Sequence, residues 1–308
     1  MTSPQNVDLT VRIAPRQPEK LVRAIAASGV AVRQKAGESE VLVWTNSSPD
    51  GIDAELTDTV RWVQLPAAGV ERWLEAGVID DKRVWSSAAG VYAEHVAERA
   101  VAGLLAASHG LLRYARQGTW VRHAYRPLFD RTVAVLGTGG IGRAVCRRLA
   151  ALGSTVVAVN RAGESVPSAA RAVALYDVGH LWKEVDDVVL CLPATSETAG
   201  LVGEEALRAL PADGSIINVG RGECLDTAAL VRVLADGQLS GAVLDVVDPE
   251  PLPDDHPLWS EERALITSHS SNPESLRWPA LARRVAENIA LISAGSQPHA
   301  VIDPSRGY

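Results

Sequence analysis

The chain has 308 residues, 47% of them hydrophobic and 22% charged, with a formal net charge of −7. This is an ordinary globular composition, long enough for two domains with cores of their own. The acidic balance excludes non-specific nucleic-acid binding, which needs a net basic face. No stretch reaches the roughly 18 unbroken apolar residues of a membrane span, and the N-terminus lacks the basic-then-apolar order of a signal peptide. Cys146, Cys191 and Cys224 have no metal or redox spacing. A reduced, cytoplasmic protein with no bound metal is therefore expected.

Val11 to Ile13 and Val41 to Trp44 read as buried strands, with Glu19 to Ser28 as the helix between them, closed by Gly29. Val60 to Gln64 is another strand and enters the turn Leu65-Pro66-Ala67-Ala68-Gly69. Strand and helix alternate, which predicts a parallel sheet. Small and apolar residues from Val96 to Leu112 then recur at three- and four-residue steps, predicting one long helix from about Ala93 to Gln117, ended by Gly118. Six further strands follow at Thr132 to Leu136, Thr155 to Val159, Val188 to Leu192, Ser215 to Val219, Gly241 to Asp245 and Ala264 to Thr267. Separated by helix-like sequence, they predict a six-strand doubly wound sheet. A last helix, about Glu274 to Ser293, is long enough to return to the first domain. The predicted domains are residues 1–95 with 281–308, and residues 96–280.

The strand ending at Leu136 runs into Gly137-Thr138-Gly139-Gly140-Ile141-Gly142 and then a helical stretch. A G-x-G-x-x-G pattern between strand and helix is the dinucleotide fingerprint. It needs glycine for a tight turn, for close approach to a pyrophosphate and for helix–strand packing. The N–H groups at the helix start then face the phosphates. Asn160 ends the next strand 21 residues after Gly139, where an Asp or Glu would hold the adenosine ribose. Asn160 carries no charge, and Arg161 beside it offers a fork of donors suited to phosphate. NADP(H) is expected in preference to NAD(H), with NAD(H) as the lesser cofactor.

Three further motifs sit at predicted strand ends: Ile217-Asn218-Val219-Gly220-Arg221-Gly222-Glu223, Leu244-Asp245 through Glu250-Pro251, and Ile266-Thr267-Ser268-His269-Ser270. With the glycine fingerprint and Leu192-Pro193 through Thr198, this half of the chain resembles the D-isomer-specific 2-hydroxyacid dehydrogenase family in the order and spacing of five motifs. The N-terminal part is similar more loosely, through Trp62 to Val70 and Gly90 to Glu98. The resemblance implies a Rossmann doubly wound domain plus a smaller flavodoxin-like α/β substrate domain. It also implies reduction of small 2-keto acids of the glyoxylate or hydroxypyruvate type, a substrate cleft between the domains, and a homodimer through the cofactor domains.

Residue by residue, the resemblance makes His269 the acid/base, Glu250 its partner and Arg221 the group that binds substrate carboxylate and carbonyl. It places the backbone N–H groups of Ala68 and Gly69 on the substrate carboxylate, with Asn46 and Ser47 approaching the same ligand. Asp245 would contact the nicotinamide side, and Leu192, Pro193, Thr198, Val219, Gly220 and Ser271 would complete the cofactor contacts. Trp120 falls where relatives place dimer contacts.

The chemistry agrees. Reducing a keto acid needs a hydride on carbon and a proton on oxygen. A carboxylate beside an imidazole favours the imidazolium, so Glu250 would keep His269 a proton donor near neutral pH, while the other six histidines have no such context. Arg221 would offer a fixed planar cation, and its flanking glycines suggest a backbone held near a ligand. Ser268 where the family has Pro, Val247 where Phe is frequent, and Asn272-Pro273 in place of small residues alter the expected pocket without removing a catalytic group. Two other readings are a nucleotide-sensing, co-repressor-like binding protein on the same scaffold and a Rossmann methyltransferase. The retained Arg221, Glu250 and His269 count against the first, and the later strand-end motifs have no role in the second.

Overall fold

The structure, a computed structural model, describes residues 9–305. Residues 1–8, which include the N-terminus read above, and residues 306–308 lie outside the described residues. The chain divides into two compact units at Tyr92/Ala93, against an expected crossing near residue 95, and at Asn272/Pro273, against one expected near residue 280. The second crossing comes earlier than expected because Pro273 starts the last helix, and that helix belongs whole to the first unit.

The first unit contains β1 (Thr10–Ala14), α1 (Glu19–Ala27), β2 (Ala31–Arg33), β3 (Val41–Trp44), β4 (Trp62–Gln64), α2 (Glu71–Glu75) and β5 (Val84–Ser86). Its sheet is wholly parallel in the order β2-β1-β3-β4-β5, which is the flavodoxin-like winding. Every residue of β3 and β4 is buried, as expected of parallel strands covered on both faces. Trp44, Trp73 and Trp85 pack with Ile52 and Leu65 to form its core. β2 and β5 were not foreseen. They are three-residue edge strands, and two of the three residues of β2 are exposed, so neither carries the apolar run that marks a central strand.

The second unit opens with α3 (Ala93–Ser108) and α4 (Leu111–Tyr114). The predicted single helix is broken between them, because Gly110 takes a left-handed φ of 66° that ends the first helical run. There follow β6 (Thr132–Leu136), α5 (Gly140–Ala151), β7 (Thr155–Asn160), β8 (Arg171–Ala174), β9 (Asp187–Leu190), α6 (Glu204–Ala209), β10 (Ser215–Asn218), α7 (Thr227–Ala235), β11 (Gly241–Leu244) and β12 (Ala264–Ile266). All pairings are parallel, in the order β12-β11-β10-β9-β6-β7-β8. The sheet thus has seven strands instead of the expected six. The extra one, β8, is a short edge strand whose first half is exposed. The order reverses between β6 and β9, and ligands of open α/β sheets bind outside the strand C-termini at such a switch point.

At the opposite end of this sheet, Arg131 and Asp187 form a fully buried ion pair, with Arg131 Nη2 3.0 Å from Asp187 Oδ1. Asp187 Oδ1 also accepts the Ser215 N–H at 2.9 Å, which ties the starts of β9 and β10 together. The chain ends with α8 (Glu274–Ser293), which packs on α1 in the first unit. Among the described residues no helix is long and apolar enough to cross a membrane.

Candidate active site

The fingerprint occupies the turn from β6 into α5, beside the switch point. Two of its glycines are demanded by the protein itself. Gly137 has a φ of 91°, and a Cβ there would lie 2.7 Å from the Cys191 carbonyl oxygen. A Cβ on Gly142 would lie 1.8 Å from the Gly137 oxygen. Gly139 is different: it is exposed, and a Cβ would meet no protein atom within 4 Å. Packing gives no reason for glycine at this position, whereas a phosphate resting on the backbone does. Gly140 and Ile141 open α5, whose first turn contains no acidic side chain. The donor set at this turn therefore fits the pyrophosphate of a dinucleotide.

Asn160 and Arg161 end β7 as expected, but both side chains already have protein partners. Asn160 Oδ1 accepts the Glu164 N–H and its Nδ2 donates to the Glu164 carbonyl, each at 2.8 Å. Arg161 donates to Glu197 Oε2 from Nε at 3.2 Å and Nη2 at 3.0 Å. Glu197 lies in the loop after β9, which begins at Cys191 and carries Leu192 and Pro193. There the Thr198 hydroxyl donates to the Pro193 carbonyl at 2.6 Å, so Thr198 shapes the loop.

The remaining motifs lie on the loops after β10, β11 and β12. Arg221 leaves β10 between two glycines, and its Nη1 donates to the Gly220 carbonyl at 2.9 Å. Packing within the protein is enough to require those glycines, without the ligand expected above. A Cβ on Gly220 would lie 2.6 Å from the Leu192 oxygen, and one on Gly222 would lie 2.0 Å from the Val247 oxygen. The loop carrying Arg221 is thereby wedged between those after β9 and β11. Val219 before it is buried. Asn218, not singled out from the sequence although it stands in the motif, accepts the Gly220 N–H and donates to the Arg221 carbonyl at 2.9 Å.

His269 Nδ1 lies 2.7 Å from Glu250 Oε1, and both side chains are about half exposed, at 53% and 43%. Ser268 and His269 both have left-handed φ values, 47° and 50°, which is strained for residues with a Cβ. The turn is held in that shape by Asp245. Its Oδ1 accepts the Thr267 hydroxyl at 2.6 Å and the Ser270 N–H at 3.0 Å, and its Oδ2 accepts the Ser271 N–H at 3.3 Å. The His269 N–H donates to the Asp245 carbonyl at 2.6 Å. Buried Asp245, expected to face a nicotinamide, therefore braces the imidazole, and buried Ser271 belongs to the same bracing.

Ala68 and Gly69 lie at the surface of the turn after β4 in the first unit. Asn46 is folded onto Ser48, with Nδ2 3.3 Å from Ser48 Oγ. Trp120 is 94% exposed.

Residues 101–271 match the family model for the D-isomer specific 2-hydroxyacid dehydrogenase, NAD binding domain. The chain belongs to this family. It is 33% identical over 300 residues to an uncharacterized protein from the proB 3′ region of Corynebacterium melassecola, covering 96% of this chain and 98% of that one. It is 31% identical over 263 residues to the glyoxylate reductase of Korarchaeum cryptofilum, covering 81% of this chain and 79% of that one. Among solved structures it superposes on a D-isomer specific 2-hydroxyacid dehydrogenase from Xanthobacter autotrophicus Py2, in complex with NADPH and MES. The TM-score is 0.85 at 27% identity, covering 97% of this chain and 99% of that one. The 2-hydroxyacid dehydrogenases are NAD(P)-dependent oxidoreductases of small 2-hydroxy and 2-keto acids, and the second unit of this chain is their Rossmann domain.

Proposed function

We propose that this 2-hydroxyacid dehydrogenase reduces small 2-keto acids of the glyoxylate and hydroxypyruvate type to D-2-hydroxy acids, with NADP(H) preferred over NAD(H). The observation that carries the reading is the His269–Glu250 pair, 2.7 Å apart on the strand-end loops of the sheet that carries the fingerprint. A nicotinamide dinucleotide bound at the fingerprint supplies the hydride.

The protein's own groups supply the rest. His269, with Nδ1 turned to Glu250, leaves Nε2 to protonate the substrate oxygen. Glu250 stabilises the charged imidazole that gives up that proton, and Asp245 keeps the ring in place. General acid catalysis of this kind is worth about 10²–10⁴ in rate. Arg221, on its wedged loop, holds the substrate carboxylate and stabilises charge developing on the carbonyl oxygen. Arg161 is the cation offered to a 2′-phosphate. We also propose a homodimer through the second unit, supported by the exposed rings of Trp120, Tyr125 and Phe129.

The test is oxidation of NADPH and of NADH against glyoxylate, hydroxypyruvate, pyruvate and phenylpyruvate. Turnover of the two smallest hydrophilic keto acids, with a higher kcat/KM for NADPH, is expected. An NADH advantage would overturn the cofactor assignment, and silence with all four acids would overturn the reaction.

A further inference from the structure

The arginines of α5 are Arg143, Arg147 and Arg148. Arg147 and Arg148 are both spent on Glu94 of α3, with Nη2 2.7 Å from Oε1 and 2.6 Å from Oε2. Arg143 is used differently. Its Nε donates to the Thr138 carbonyl at 3.0 Å, and among the described residues its terminal nitrogens donate to no protein acceptor. Thr138 belongs to the glycine turn. Side chains of a helix tilt toward its N-terminus, so exposed Arg143 runs back from the residue after Gly142 to the turn that precedes the helix. The bond at Nε fixes the guanidinium there and leaves its fork unspent.

The flank of the helix matters as much as the reach. Arg143 and Arg147 stand four residues apart and share one stripe of α5. Arg147 reaches α3, which packs on β10 and β11 as well as on α5. In the order β11-β10-β9-β6-β7 that stripe faces toward β9 and away from β7. Asn160 and Arg161, at the end of β7, are on the other flank. Arg143 is therefore placed beside the turn where a pyrophosphate would rest, not beside the adenosine ribose. A dinucleotide pyrophosphate is doubly charged, whereas a helix N-terminus offers only about half a positive charge. A guanidinium adds a full countercharge and parallel donors.

We infer that Arg143 is a cofactor-binding residue whose terminal nitrogens hold the dinucleotide pyrophosphate against the glycine turn. Its protein acceptor is a main-chain carbonyl on Nε, so this cation, unlike Arg161, has no carboxylate to leave when the cofactor arrives. The inference rests on dinucleotide binding at the fingerprint, and neither on the keto acid nor on the preference for NADP(H).

The test is Arg143→Gln, with Kd for NADPH and NADH read by fluorescence titration and Kd for ADP-ribose by calorimetry. In about 0.05 M KCl all three values should rise by a similar factor, about five- to tenfold. In about 0.5 M KCl variant and wild type should agree within about twofold, because salt screens an exposed contact. An unchanged Kd overturns the inference. A loss confined to NADPH overturns it by moving Arg143 to the 2′-phosphate. A loss equally large at both salt concentrations also overturns it, since the side chain would then only brace the turn through Thr138. Wild-type protein that binds none of the three ligands overturns the dinucleotide reading itself, whereas wild-type binding with an unaltered variant overturns the role of Arg143 alone.

Discussion

His269 is held from two sides, its ring by Glu250 and its backbone by Asp245. These contacts separate charge from geometry. Glu250→Gln keeps a hydrogen-bonding group but removes the negative charge that stabilises the imidazolium. Keto-acid turnover should therefore fall by about 10–100-fold with NADPH affinity unchanged, and a kcat equal to that of the wild type would contradict the role of Glu250. At the cofactor end, the proposed NADP(H) preference requires a 2′-phosphate to compete with Glu197 for Arg161. Both side chains are more than half exposed, so solvent screens the competition and the effect is modest. Glu197→Gln should raise the NADPH-to-NADH ratio of kcat/KM by about two- to fivefold, and an unchanged ratio would show that Glu197 does not compete. The histidine, its carboxylate and the arginine were legible as residues because each stands in a fixed motif. Glu197 and Thr267 were not. Their roles depend on partners 36 and 22 residues away, and no local pattern encodes such pairings.

Among the elements, the central strands were legible because burial on both faces requires continuous apolar runs. β2, β5 and β8 were missed because edge strands need no such run. The break at Gly110 was missed because the small and apolar residues around it continue at helical spacing. The β6–α5 turn shows how backbone contacts constrain an element. A Cβ at position 142 falls on the Gly137 oxygen, so Gly142→Ala must open the turn. NADPH binding should weaken by at least about tenfold, as read by fluorescence titration, and retained affinity would contradict the packing argument. At the other end of the sheet, Arg131→Met leaves Asp187 buried without its partner. A loss of about 3–5 kcal/mol in unfolding free energy is expected from denaturant titration. A loss below about 1 kcal/mol would mean that water reaches Asp187.

For the whole molecule, two parallel sheets with different winding orders follow from two series of strand–helix units. The alternation was visible in the sequence, but the exact crossings between the units were not. Stability also has a readable pH dependence. Hydrogen bonds from Arg12 hold the Glu55 carboxyl below its usual range, as those from Arg147 and Arg148 do for Glu94. A carboxyl depressed in the folded state stabilises the protein above its unfolded value of about 4.3, and that contribution disappears as pH falls through the lower folded value. Unfolding free energy should therefore decline on acidification below about pH 5, and Glu55→Gln should flatten that decline. An equally steep decline in the variant would remove Glu55 from the account. The central claim, that a carboxylate-paired imidazole delivers the proton for keto-acid reduction, is tested most directly by comparing wild type with His269→Ala. Glyoxylate-dependent NADPH oxidation and NADPH affinity are measured on the same samples. Turnover should fall by about 10²–10⁴ with NADPH affinity unchanged; a variant that reduces glyoxylate as fast as the wild type would show that the proton comes from another group.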